Sequence, residues 1–138
     1  MTDDAGVREL LAADTVAVVG CSTTPGKAAH DVPQYLATHG YDVRPVNPYA
    51  EEILGVPAVD SLADLEDEID LVNVFRPSEE VAGIVDDVLA RADTVGDVSG
   101  VWLQRGITDD DALARAEAAG LQTTQDRCAK VEHARLVD

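Results

Sequence analysis

Residues 15–36, TVAVVGCSTTPGKAAHDVPQYL, decide the fold. TVAVV, 15–19, is a β-branched apolar run that stops at Gly20, which fits a strand buried on both faces, as in a parallel sheet. A turn rich in Ser, Thr, Pro and Gly follows. Residues 31–39 then read as a helix: Val32, Tyr35 and Leu36 share a face, and Gly40 stands where a C-terminal cap belongs. Pro33 is expected in the first turn, where its missing N–H is harmless, so this helix should start no earlier than about residue 29.

The same step repeats along the chain. Residues 42–47 (DVRPVN) read as a second strand stopped by Pro48, and 53–59 (ILGVPAV) as a short extended segment. Ser61 and Asp64 form a capping box over a small helix. DLVNVF, 70–75, is a third strand. After it Ser78 is expected to cap a helix carrying Val81, Ile84, Val85, Val88 and Leu89 at helical spacing. A fourth strand lies within 95–103, most clearly at GVWL. Thr108 is expected to cap a helix with Asp109, Asp110 and Asp111 in its first turn, ended by Gly120. LQTTQ, 121–125, is a fifth strand, and 3–13 is a short helix ahead of the first. Five alternations predict an α/β fold, a three-layer sandwich with a mainly parallel five-stranded sheet and right-handed crossovers. At 138 residues the chain is expected to form one domain, with a core over 15–127 and a tail over 128–138.

Charge narrows the function classes. Asp and Glu number 27 against 10 Lys and Arg, a net charge of −17, and only Lys27 and Lys130 are lysines. Such a field repels nucleic-acid backbones and anionic lipid surfaces. With aromatics at 4%, this is the composition expected of a protein working in high salt. There the Debye length falls to about 3 Å at 1 M and self-repulsion is screened. The N-terminus MTDDAGVREL lacks the basic and apolar regions of a signal peptide, and no run is long enough to span a membrane, so a cytoplasmic location is expected. Cys21 and Cys128 do not form a CxxC pair, and His30, His39 and His133 lack metal-ligand spacing, so no metal site is read.

In a parallel α/β fold ligands sit beyond the carboxyl ends of the strands. Four segments therefore matter. GCSTTPGK, 20–27, resembles two phosphate loops and matches neither. It lacks the second glycine of GxGxxG, and it has one residue too many for a Walker A loop, with Ala28 where Ser or Thr belongs. Gly20 still permits close approach, Ser22, Thr23 and Thr24 offer hydroxyl and N–H groups, and Lys27 offers charge; the competing reading is a plain strand-to-helix turn. The second strand ends in Asn47-Pro48 rather than in the acid that holds a ribose in NAD enzymes, so Asn47 and Pro48 are read as a nucleoside border or a simple terminator. Phe75-Arg76-Pro77-Ser78 places a cation at a ligand edge. A phosphate clamp is the preferred reading for Arg76, against an ion pair to Glu79 or Glu80. Trp102, Leu103 and Gln104 end the fourth strand, Trp102 reading first as core. Cys21 reads as a small buried residue, with activation by helix N–H groups as the alternative.

GCSTTPGKAAHDVPQYL, YDVRPVNP, VNVFRPSE, VWLQRGI and DRCAKVEHARL, in this order and spacing, resemble the stand-alone coenzyme A-binding proteins with a Rossmann-type domain. That family is similar to the N-terminal domain of the succinyl-CoA synthetase alpha subunit. The resemblance implies non-catalytic binding of coenzyme A or an acyl-CoA. Gly20, Cys21, Ser22, Thr23, Thr24 and Lys27 would take the pyrophosphate, and Asn47 and Pro48 would border the adenosine. Phe75, Arg76, Pro77, Ser78, Trp102, Leu103 and Gln104 would line the remaining groove. The family often has a basic residue after Asn-Pro; here Tyr49 stands there, with Arg44 as a substitute if it faces the ligand. Synthetase chemistry does not carry over, since the further domain with its phosphorylated histidine does not fit in this length. An NAD(P)-dependent enzyme or sensor with a divergent fingerprint is the alternative.

Overall fold

A computed structural model describes residues 3–137. Strand β1 (Thr15–Val19) is followed by β2 (Asp42–Val46), a small antiparallel hairpin of β3 (Glu52–Ile53) and β4 (Val56–Pro57), then β5 (Leu71–Val74), β6 (Gly100–Leu103) and β7 (Gln122–Thr124). The large sheet has five strands, all parallel, in the order β2-β1-β5-β6-β7. Every residue of β5 and β6 is buried, because helices cover both faces. Pro45, which has no N–H to donate, lies on the edge strand β2.

Among the described residues five helices connect and cover the strands: α1 (Asp4–Leu11), α2 (Ala28–Thr38), α3 (Val81–Thr94), α4 (Asp110–Ala118) and α5 (Ala129–Leu136). One apolar layer joins α1, α2 and α5 to Val16, Val18, Leu71 and Trp102 of the sheet; the other joins α3 and α4 to Ala17, Val72, Val74, Val101 and Leu103. The two layers take alternate residues of each strand, as the period of two requires. Helix α1 lies so close to the sheet that a Cβ on Gly100 would collide with the Leu10 side chain. None of the helices is long and apolar enough to cross a membrane among the described residues.

The three-layer parallel architecture is as expected, and several local expectations change. Helix α2 starts at Ala28, which places Pro33 in its interior. The cost is small because Ala29, whose carbonyl would take the N–H of residue 33, instead accepts the Ser22 N–H at 2.9 Å. Ser61 opens only a 3₁₀ turn (Leu62–Asp64) and bonds the Asp64 carboxylate through Oγ rather than capping a backbone N–H. Ser78 begins a second 3₁₀ turn (Ser78–Glu80), so α3 is capped by Glu80; Ser78 Oγ instead accepts the Thr108 N–H at 3.0 Å. Asp109, one residue past Thr108, caps α4 by accepting the Ala112 N–H at 3.0 Å. Residues 129–136, expected as tail, form α5 and pack on α1 and α2.

Candidate functional site

The chain leaves β1 to form β2 on one side of it and later returns to form β5 on the other. This reversal opens a crevice beyond the carboxyl ends of the strands. A cavity of about 510 Å³ occupies it. Gly20, Cys21, Ser22, Thr23 and Lys27 line it from the β1 side, Asn47, Pro48 and Tyr49 from the end of β2, and Phe75 and Arg76 from the end of β5. A cavity of similar size, about 560 Å³, opens at the edge strand β7 and holds none of these residues. Its position at the sheet edge, away from the reversal, makes it the weaker candidate.

Backbone bonds shape the walls. The Gly20 N–H donates to the Val46 carbonyl at 3.0 Å and the Phe75 N–H to the Val19 carbonyl at 2.9 Å, so the three strand ends are laced together. Asn47 joins the loops above them. Its Nδ2 donates to the Cys21 carbonyl at 2.9 Å, and its Oδ1 accepts the Tyr49 N–H at 2.8 Å. Both amide ends are thus used within the protein, and Asn47 acts as a staple between the β1 loop and the β2 turn.

The phosphate-type loop is partly self-satisfied. The Ser22 N–H is taken by Ala29, the Thr24 N–H by Ser22 Oγ at 3.0 Å, and the Gly26 N–H by the Asp31 carboxylate at 3.1 Å. Among the described residues the N–H groups of Cys21, Thr23, Ala28 and Ala29 have no protein acceptor. Ala28 and Ala29 begin α2, so their donors carry the positive end of its dipole. Lys27 is exposed and has no ion-pair partner among the described residues.

Arg76 is engaged. Its Nε and Nη2 donate to the two Glu80 oxygens at 3.1 and 2.7 Å, the ion pair set aside in favour of a clamp in the sequence reading. The guanidinium holds the Glu80 carboxyl below its usual range, chiefly through these hydrogen bonds. The pair's i,i+4 spacing was visible in the sequence. Glu80 and Asp60 also line the cavity and were missed as site residues. Asp60 arrives through a parallel bridge between Val46 and Val59, a long-range contact with no local signal.

Other candidates lie elsewhere. Trp102, Leu103 and Gln104 are buried and do not line this cavity: the Trp102 Nε1 donates to the Arg127 carbonyl at 2.9 Å, and the Gln104 Oε1 accepts the Ala129 N–H at 2.9 Å. Both bonds anchor the approach to α5. Thr24, Pro77 and Ser78 also fall outside the lining. Arg44 is held by Asp42 at 2.9 Å and Asp67 at 3.2 Å and does not reach the cavity. Cys21 is fully buried, and burial pushes its thiol up to about 11, against the activated reading. At about pH 8, native protein should therefore take iodoacetamide at the half-buried Cys128 well before Cys21. Peptide mass mapping reads the order, and Cys21 reacting first would contradict the burial argument.

A family model described as CoA binding domain matches residues 14–134. An uncharacterized protein of Bacillus subtilis, YneT, is 37% identical over 131 residues, covering 94% of this chain and 93% of its own. The ADP-forming acetate–CoA ligase II of Archaeoglobus fulgidus is 30% identical over 106 residues, 75% of this chain but 15% of the ligase. Among solved structures, a hypothetical protein from Pyrococcus horikoshii superposes with a TM-score of 0.91 at 34% identity, over 99% of this chain and 94% of that one.

Proposed function

This chain belongs to the CoA-binding domain family, and from that premise we propose that it holds coenzyme A or an acyl-CoA in the β1–β2–β5 cavity without transforming it. The observation that carries this reading is the meeting, among the described residues, of unpaired Lys27, the unbonded N–H groups of Cys21, Thr23 and Ala29 and the exposed ring of Tyr49 around one crevice. Backbone donors and a lysine suit a diphosphate, and an exposed ring suits a base. Cys21 is kept protonated by burial and Arg76 is tied to Glu80, so neither is set up as a nucleophile or base. We further propose a cytoplasmic, high-salt setting, of which the −17 charge supports the salt part.

Calorimetric titration with coenzyme A at about 2 M KCl, where screening removes most self-repulsion, tests the reading, with NAD and ATP as competitors. Saturable binding is expected, and Lys27→Ala should weaken it about tenfold, the effect of one charge-assisted hydrogen bond. Affinity should hold or rise with KCl, because screening relieves the protein's own field and loosens Glu80 from Arg76. Ellipticity at each salt step tests the salt adaptation alongside. No coenzyme A binding by folded protein would overturn the reading, and a steep fall of affinity with salt would overturn its electrostatic part.

A further inference from the structure

We propose that this site has no place for a 3′-phosphate, so that among coenzyme A-type ligands it takes the dephospho form at least as tightly as coenzyme A. The inference rests on the coenzyme A reading of the cavity and names its ligand more narrowly. It follows from the charges that reach the crevice. Of the chain's 10 Lys and Arg residues, the lining holds Lys27 and Arg76. It also holds Asp60 and Glu80, so its formal charges cancel. Arg76 is already gripped by both Glu80 oxygens, which leaves Lys27 as the cation of the lining without an ion-pair partner among the described residues.

A diphosphate bears two negative charges. Lys27, the unbonded N–H groups and an Arg76 released from Glu80 suffice to match them. A 3′-phosphomonoester adds about 1.5 to 2 more negative charges at neutral pH. No cation of the lining remains for it, whichever way the nucleotide lies. Arg44 cannot supply one while Asp42 and Asp67 hold it. Tyr49, 95% exposed and fixed in its turn by Asn47, offers a ring face and a phenol but no charge. The extra phosphate is therefore left in water, or is repelled by Asp60 and Glu80 within the field of a −17 protein.

The test is parallel calorimetry of the full chain with coenzyme A and 3′-dephospho-coenzyme A, at about 0.3 M and about 2 M KCl, with folding checked by ellipticity. Dephospho-coenzyme A should bind as tightly as coenzyme A or up to about fivefold more tightly at the lower salt, the effect of one solvent-exposed like-charge contact, and the gap should close at the higher salt. Tyr49→Lys should shift the affinity ratio toward coenzyme A by about fivefold. Coenzyme A binding reproducibly tighter than the dephospho form at either salt concentration would overturn this inference and leave the coenzyme A reading standing. If folded protein binds neither ligand, both fall.

Discussion

Replacing Arg91 by alanine is expected to lower the unfolding free energy by roughly 3–5 kcal/mol, the range for removing one partner of a buried ion pair. Arg91 lies on α3 and is 5% exposed. Its Nη2 meets the Asp97 carboxylate at 3.0 Å, and Nη1 donates to the carbonyls of Leu62 and Leu65 at 2.6 and 2.9 Å. Nη2 also donates to the Asp67 carbonyl at 2.8 Å. One guanidinium thus satisfies a carboxylate and three carbonyls of the segment that runs from the cavity rim at Asp60 to β5. Truncation leaves the Asp97 carboxylate buried with the Ile69 N–H, at 2.8 Å, as its remaining partner among the described residues. Urea unfolding at a fixed KCl concentration reads the loss as a shift of the midpoint at constant slope. Arg91→Lys should recover only part of it, since an ammonium cannot reach four acceptors in a fork. A loss below about 1 kcal/mol would mean that the segment holds itself without this brace.

Arg91 also marks where sequence reading reaches its limit. Val81, Val85 and Val88 announce the buried face of α3, and Arg91, three residues past Val88, lies on that same face. Periodicity scores an arginine there as solvated, because three of its acceptors are carbonyls more than twenty residues away. The strands were legible for the opposite reason. TVAVV, LVNV and GVWL are buried on both faces, so composition alone announces them. Helix α5 gave no stripe to read, because what it buries is Ala129 and His133, the latter meeting the Tyr35 hydroxyl through Nδ1 at 2.9 Å. Pro33 was read by the local rule for proline, while the Ser22 N–H that makes its interior position tolerable comes from the cavity loop. At the site, the loops after β1, β2 and β5 could be named from the βα alternation. The Arg76–Glu80 pair stood in the sequence as the competing reading, at i,i+4 spacing; that Asp60 would line the same cavity depends on the Val46–Val59 bridge.

Gly20→Ala is expected to cost about 1–2 kcal/mol of stability, the penalty for an L-residue in the left-handed region, and to weaken coenzyme A binding by about tenfold or more. Gly20 has φ +86°. A Cβ there would stand 2.8 Å from Arg76 Cδ and 3.3 Å from the Phe75 carbonyl carbon. The arginine stem can swing aside, and Phe75 cannot follow, because its N–H is bonded to Val19 in the ladder. The new methyl must therefore push the loop toward the cavity or push Arg76 out of it. Either movement disturbs the region where Cys21 and Thr23 present their free N–H groups. Urea unfolding and calorimetry at about 2 M KCl separate the two effects, because binding is then measured on folded protein. Lower stability with unchanged affinity would show that the ligand does not approach the backbone at Gly20, and would move the diphosphate away from the β1 loop. Loss of both would fit a glycine that serves the strand end and the site through the same absent side chain.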